Sequence, residues 1–489
     1  MPVSKKTYII GVFSHWGTLT PPLQHSAAGD VILAYQFEPL VKTGNRGIME
    51  PLAAKSWEFT KNQHAIRFKI DTSRRFSDGS YLCAADFKRS WEDGLRMESM
   101  ASNSSLADGL GNLKGYNRFK EKGEIEGVRV IGDDELELCF ERPIRLALGP
   151  LSGGRFSAYK IIDNHPIGTG PYVITEKDQV LTLVPNTYYI GQAPGLKNVK
   201  IVVALPPTVL EKLKSEEIDA YLFAETANLP GCDEGRLAPI RCAYGQEGLH
   251  ILINLNGMAG RFFADSKHRR ALQALVLKNI ELAEKAFRAR GFIRDSQSFL
   301  KLQSGRIPDS EAQSIIQEGE QYIPRLLKAT KQTPLHIAAG TLGWQWFIDF
   351  LRKEGLTIAD SSRADFTAKE FWETYYKTLT PDIMPMGASV GDSDPDGLYH
   401  LLGRHGAIFS PILERGTVCD GMESGRQLLD IAQLPAHYEK VSREILKEVP
   451  YIHLGYLYTR VAYNTSKLQI NEKQIGRGEN PSIMLLKPR

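Results

Sequence analysis

The stretch "HPIGTGPYVIT", residues 165–175, crowds two prolines and two glycines into six positions and then turns apolar. Gly168, Gly170 and Pro171 make a tight bend, and the bend delivers Tyr172 into a strand. "FSDGS", residues 76–80, is a second punctuator, an Asp-Gly turn. Both stretches read as scaffold rather than as ligand contacts.

Outward from this bend the chain alternates strands and helices. "HAIRFKI" (64–70) sets Ile66, Phe68 and Ile70 against polar neighbours, the pattern of a half-buried strand. "ELELCFE" (135–141) repeats it with Leu136, Leu138 and Phe140, and Gly132, Asp133 and Asp134 turn it back on "VRVI" (128–131). "LHILINLN" (249–256) places Leu249, Ile251, Ile253 and Leu255 on one face. Phe87, Trp91 and Leu95 follow helical spacing. From Asp265 one helix is expected to carry Leu272, Leu275, Val276, Ala283 and Phe287, with Asp265 or Ser266 as cap and Gly291 beyond its end. "WQWFIDFLRKEG" (344–355) stacks Trp346, Phe347, Phe350 and Leu351 and stops at Gly355. "AHYEKVSREILKEV" (436–449) does the same with Tyr438, Val441, Ile445 and Val449. This order indicates α/β or α+β domains.

The chain has 489 residues, enough for two or three domains, and 42% of them are apolar. Its net charge of +3 argues against a nucleic-acid partner. No apolar run approaches the ~20 residues needed to cross a bilayer. The short apolar run in "MPVSKKTYIIGVFSHWG" is too brief for a signal-peptide core, so the sequence reads as cytoplasmic or as a mature exported form carrying a starting Met. Cys83, Cys139, Cys232, Cys242 and Cys419 show no zinc-binding spacing. All five read most simply as reduced packing residues, although Cys232 and Cys242 are near enough in sequence to pair.

Several segments, in order, resemble one family, the extracellular solute-binding proteins of family 5, the peptide/nickel type that serves ABC transporters. They are "YQFEPLVKTGNRGIMEPLAAKSWEF" (35–59), "IRFKIDTSRRFSDGSYLCAADFKRSWE" (66–92), the opening bend, "VPNTYYIGQAPGLKNVKIVV" (184–203), "EEIDAYL" (216–222), "FADSKHRRALQALVLKNIELAEKAF" (263–287) and "DSDPDGLY" (392–399). The resemblance implies an α/β, two-lobed, type II periplasmic-binding-protein-like fold (cluster C) with an extra inserted domain. Lobe one would be residues 1–38, 164–244 and 453–489, the insert 39–163, and lobe two 245–452. The crossings near 245 and 452 would form a hinge, with ligand in the cleft. It further implies a monomer outside the cytoplasm that binds a small molecule or peptide, partners an ABC transporter permease, uses no cofactor and performs no covalent chemistry. A cytoplasmic ligand-sensing regulator domain of the same fold is the second reading.

"GASVGDSDPDGLY" (387–399) carries two competing motifs. G-x-S-x-G at Gly387, Ser389 and Gly391 spells a serine-hydrolase elbow, but "DSDPDG" is a poor helix start and an elbow needs a helix there. D-x-D-x-D-G from Asp392 spells a calcium loop, but position 12 is Gly403, where a bidentate Glu belongs, and Pro395 interrupts the loop. The resemblance offers a third reading, a ligand-binding loop. With Asp394-Pro395 aligned to the family's D-P, the amine-binding Asp falls on Gly391 and its preceding Trp on Ala388. Asp392, one residue along, could take its place if the loop is re-registered, or the glycine could leave space for a bulkier or uncharged ligand group. The remaining candidate ligand contacts are Trp16 and Thr18 in "SHWGTLTPPL", Tyr35, Trp372 and Tyr376 in "FWETYYK", Ser389, and Tyr456 and Tyr458 in "HLGYLYTR", beside His453. Aromatic side chains supply apolar area with one polar handle.

Overall fold

The structure is a computed structural model. It describes all residues except 1–5, 25, 45–47, 61, 99–105, 145–147, 233–234, 301–302, 340–342, 363–380, 390–395, 404–415, 429 and 472–481. The chain divides into two compact units. Two long strands, Ile240–Leu255 and Tyr451–Asn464, carry it from one to the other, between Gln246 and Glu247 and between Tyr458 and Thr459.

In the first unit the bend at 165–171 docks on the end of the helix Ala27–Gln36. The Gly170 N–H donates to the Gln36 carbonyl at 2.9 Å. The buried Gln36 amide completes the clamp, its Nε2 donating to the Pro166 carbonyl and its Oε1 accepting from Ile174 N–H at 3.0 Å. A side chain has no room here, because a Cβ on Gly170 would stand 2.6 Å from the Gln36 carbonyl carbon, and one on Gly168 would also strike that peptide. The strand Tyr172–Lys177 then hairpins onto Val180–Pro185, which pairs with Val199–Val203. Tyr8–Val12 lies parallel to both Val199–Val203 and Ala220–Leu222. Ala220–Leu222 pairs antiparallel with Val461–Tyr463 of the second long strand. Ile10, Val12, Tyr35, Tyr172, Leu183 and Ile201 fill the core of this sheet.

A separate apolar core gathers residues between Leu40 and Ala158. Its sheet has the antiparallel order Ala54–Phe59, Ala65–Ile70, Glu135–Cys139, Val128–Gly132. Ile66, Phe68, Leu136 and Leu138 are buried as their alternation predicts. The helix Ala84–Glu98 lays Phe87, Trp91 and Leu95 on the same core, and the Trp91 indole N–H donates to the Phe156 carbonyl at 2.8 Å.

In the second unit Asp265 caps the helix Ser266–Lys278, accepting from Lys267 N–H at 2.9 Å. The single helix expected from Asp265 to Phe287 is two, because Asn279 leaves helical geometry and turns its amide back onto the Leu275 carbonyl at 2.9 Å. The second helix is Glu281–Phe287. Gln345–Lys353 stops before Gly355, as expected. Leu434–Glu448 ends one residue earlier than its apolar spacing suggests, since Val449 adopts a left-handed φ of 49° as its cap. The alternation in "LHILINLN" also understates burial. His250, Leu252 and Asn254 are buried along with Ile251, Ile253 and Leu255, so this strand is covered on both faces.

Cys232 and Cys242 form a disulfide with Cα atoms 5.9 Å apart, which corrects the reading of five reduced cysteines. That reading weighed the number and spacing of the cysteines, which do not show that the two Cα atoms come together.

Gly170→Ala is expected to cost about 1–3 kcal/mol of stability, because its methyl group must displace the Gln36 peptide. Urea unfolding should show a lower midpoint; an unchanged midpoint would contradict the close approach.

Candidate functional site

A strand covered on both faces is ordinarily a near-continuous run of Val, Ile and Leu. The two shared strands depart from this. They are neighbours in one sheet and carry Tyr244, His250, His453, Tyr456 and Arg460 close to where the chain changes units.

In the first unit Arg460 is 1% exposed. Its backbone N–H donates to Glu225 Oε2 at 2.9 Å. Its guanidinium lies 5.0 Å from the Tyr244 ring centre, and Nη2 is 3.3 Å from Cys242 Sγ. Glu225 sits on the short turn Ala224–Thr226, which follows the strand Ala220–Leu222 through Phe223 in a left-handed conformation. The Thr226 hydroxyl holds that turn by donating to the Phe223 carbonyl at 2.8 Å. The disulfide ties the segment after this turn to the strand bearing Tyr244. Burial pushes the Glu225 carboxyl up to about 7, against the opposing pull of the Glu225 and Arg460 N–H groups and the Arg460 charge.

In the second unit His250 Nδ1 and His453 Nε2 are 2.8 Å apart, and His453 Nδ1 is 2.8 Å from the Asp295 carbonyl. Asp295 is held in turn, its Oδ2 pairing with Arg306 at 2.7 Å and its Oδ1 accepting from Gln297 N–H at 3.0 Å. The strand Phe292–Arg294 brings it there, pairing antiparallel with Gly455–Leu457. Gly455 permits that pairing with a φ of 151°, where any Cβ would collide with the Ile293 carbonyl. Burial lowers His453 from 6.5 to about 4, with Asp295 opposing and Arg306 assisting. Tyr456 is buried beside His250, with ring centres 6.4 Å apart, and meets the half-buried Tyr458 edge-on at 5.9 Å.

The other candidates fall in several places. Trp16 is buried in the core of the first unit, its ring stacked on His15 at 4.7 Å, and its indole N–H meets no acceptor among the described residues. Thr18 is exposed and accepts from Thr20 N–H at 3.1 Å. Tyr35 is buried against Tyr172, with its hydroxyl 3.5 Å from Ile483 N–H. Ser389 is the last residue of the strand Ile383–Ser389 and stands opposite Leu249. An elbow serine stands in the turn beyond its strand, so this position does not suit the hydrolase motif. Trp372, Tyr376, Gly391 and Asp392 lie outside the described residues, as does the start of the calcium-like loop.

Sequence reasoning passed over Glu225, His250 and Arg460. A signal was present for two of them, since "LHILIN" and "YLYTRVAY" each set one polar nitrogen base in an apolar run.

The two buried titrating groups give opposite pH slopes. His453 protonates in the unfolded chain near 6.5 but in the fold only near 4, so stability falls as pH drops through that window, by about 3 kcal/mol in all. Glu225 is raised, so its share is full below about 4.5 and is lost as pH rises through about 7, again about 3 kcal/mol. Denaturant unfolding from pH 4 to 8 should separate them. His453→Gln should leave stability that improves on acidification, and Glu225→Gln should leave stability that declines. Parallel profiles for both variants and the wild type would contradict these assignments.

A model of the family described as bacterial extracellular solute-binding proteins, family 5 Middle, matches residues 49–291. The dipeptide-binding protein DppE of Bacillus subtilis (strain 168) is 24% identical over 308 residues, 58% of this chain and 56% of that protein. The nickel-binding periplasmic protein of Escherichia coli (strain K12) is 26% identical over 208 residues, 40% of this chain and 37% of that protein. The matched regions thus span about half or less of these relatives' lengths. The structure of the Escherichia coli murein tripeptide binding protein MppA superposes with a TM-score of 0.80 at 17% identity, covering 99% of each chain. That likeness shows the fold, the α/β type II periplasmic-binding-protein fold. With the family match extending from residue 49 through the first shared strand, the chain belongs to the bacterial extracellular solute-binding proteins, family 5.

Proposed function

We propose that this protein is the solute-binding component of an ABC importer, capturing a small peptide or peptide-like solute and presenting it to a membrane permease as a monomer. The observation that carries the reading is the pair of polar groups His250 and His453, buried on the two shared strands within the second unit. Recognition of a small polar solute needs a few fixed polar groups in apolar surroundings, and sheet packing alone needs none of them. Tyr456 and Tyr458 add aromatic area. The names of relatives point the same way, to dipeptide, murein tripeptide and nickel binding. The Cys232–Cys242 disulfide suits an extracytoplasmic location, where such bonds persist. Among the described residues no helix is long and apolar enough to cross a membrane. On this reading residues 39–163 are an inserted domain, the chemistry is binding without covalent change, and the loop at 389–392 contributes solute contacts.

Gly391 lacks the carboxylate that would pair a solute's ammonium. Calorimetry with dipeptides and their N-acetylated forms is expected to show binding that acetylation weakens little. Asp392→Asn is expected to change dipeptide affinity by less than ~1 kcal/mol, the scale of a charge that anchors no ligand group. A loss of roughly 2–5 kcal/mol in both experiments would make Asp392 the ammonium anchor instead. Failure of dipeptides, tripeptides and nickel chelates alike to bind would contradict the peptide-transport reading.

A further inference from the structure

The Cys232–Cys242 disulfide of the first unit joins two unlike sulfurs. Cys232 is 4% exposed, inside the apolar core that holds Val209, Leu213 and Leu229. Cys242 is only partly buried at the border of that core, on the strand Ile240–Leu255. Its Sγ is 3.3 Å from Arg460 Nη2 on the neighbouring strand. Arg460 makes other contacts as well; the one that bears on Cys242 is this N–H. A guanidinium N–H donates, and sulfur accepts weakly in a neutral state and well as a thiolate. Glu225 meets the backbone of the same arginine, and burial lifts its carboxyl to about 7, so at neutral pH and below it opposes a thiolate least. The Tyr244 ring on the arginine is neutral. The half-buried Cys83 of the same unit is the contrast. Its Sγ is 3.3 Å from Asp86 Oδ2, and burial and that carboxylate push its thiol up.

We propose that Cys242 is a thiol–disulfide exchange site: when the bond is open, Cys242 attacks a small external disulfide and Cys232 resolves the product. Reactive cysteines are partly exposed and stand beside a cation, and Cys242 meets both conditions where Cys232 and Cys83 do not. In the first step Cys242 loses its proton to solvent, and its thiolate attacks one sulfur of the external disulfide. That disulfide's S–S bond breaks, one half leaves as a thiolate, and a mixed disulfide forms on Cys242. In the second step Cys232 loses its proton to solvent and attacks Cys242 Sγ. The mixed disulfide breaks, the second half leaves as a thiolate, and the Cys232–Cys242 bond closes. The two protein thiols give up two electrons, the external disulfide gains them, and its two thiolates take up the two protons. The buried position of Cys232 suits this order, because the outside reagent has to reach Cys242 alone. The bond so formed ties the segment after the Glu225 turn to the strand bearing Tyr244 and Cys242.

The test uses oxidised glutathione as the external disulfide and peptide mass spectrometry to locate it. In Cys232→Ser protein, whose fold is checked against the wild type by circular dichroism, Cys242 is left as a thiol. At neutral pH it should take up glutathione about tenfold or more faster than Cys83 in the same molecule, and its rate should rise at a lower pH than that of Cys83. Adding Arg460→Gln should slow Cys242 by about threefold or more and move its pH profile upward, while Cys83 keeps its rate. Reduced wild-type protein, mixed with oxidised glutathione and quenched in acid, should carry its transient mixed disulfide on Cys242. Uptake at Cys242 no faster than at Cys83 would overturn the proposal. So would a transient mixed disulfide on Cys232, or a Cys242 profile untouched by Arg460→Gln. Should either variant not fold, the position of the mixed disulfide in the wild type still decides it.

Discussion

A polar group inside a strand covered on both faces has no water to turn to. Leaving a buried hydrogen-bonding group unpaired costs a few kcal/mol, and leaving a charge unpaired costs more. This constraint organises the two shared strands and what surrounds them. Arg460 draws in the Tyr244 ring and brings Glu225 onto its backbone. His453 draws in the Asp295 carbonyl, and Asp295 in turn recruits Arg306 and Gln297. Local features that look incidental then have a cause. The left-handed Phe223 delivers the Glu225 turn, and the side-chain-free Gly455 lets Phe292–Arg294 approach. Hydrophobic residues at the same positions would pack with less cost, so the expense points to use rather than to stability.

The scaffold is built on a different economy. Gln36 spends its amide on Pro166 and Ile174, and the glycines of the bend give up side chains to reach its carbonyl. These contacts join residues more than a hundred positions apart and set the first sheet in register. Both ends of the Gln36 amide are taken up inside the clamp, by the Pro166 carbonyl and the Ile174 N–H. The contrast separates positions whose substitution should cost stability from those whose substitution should cost binding.

Most of the scaffold was legible in the sequence because its signals are local. Alternation in "HAIRFKI" and "ELELCFE", the spacing of Phe87, Trp91 and Leu95, and the bend at 165–171 each depend on neighbours within a turn or two. Errors arose where distant packing decided the outcome. Asn279 broke a helix that periodicity would continue, and the strand at 249–256 is buried on both faces although its alternation suggests one. The site was less legible for the same reason. Tyr456 and Tyr458 were visible as aromatics beside a crossing, but His250 meets His453 from 203 residues away, and Arg460 meets Glu225 from 235 residues away. A lone histidine or arginine in an apolar run signals that a partner exists without naming it.

The central claim is that this chain holds a small solute non-covalently. Native mass spectrometry of protein purified from its own source, compared with the same sample denatured, tests it most directly. The account predicts a native mass above the denatured mass by one discrete small molecule, released on denaturation and restored by incubation with a small-molecule extract of the source cells. A single bare-chain mass both as purified and after that incubation would contradict it.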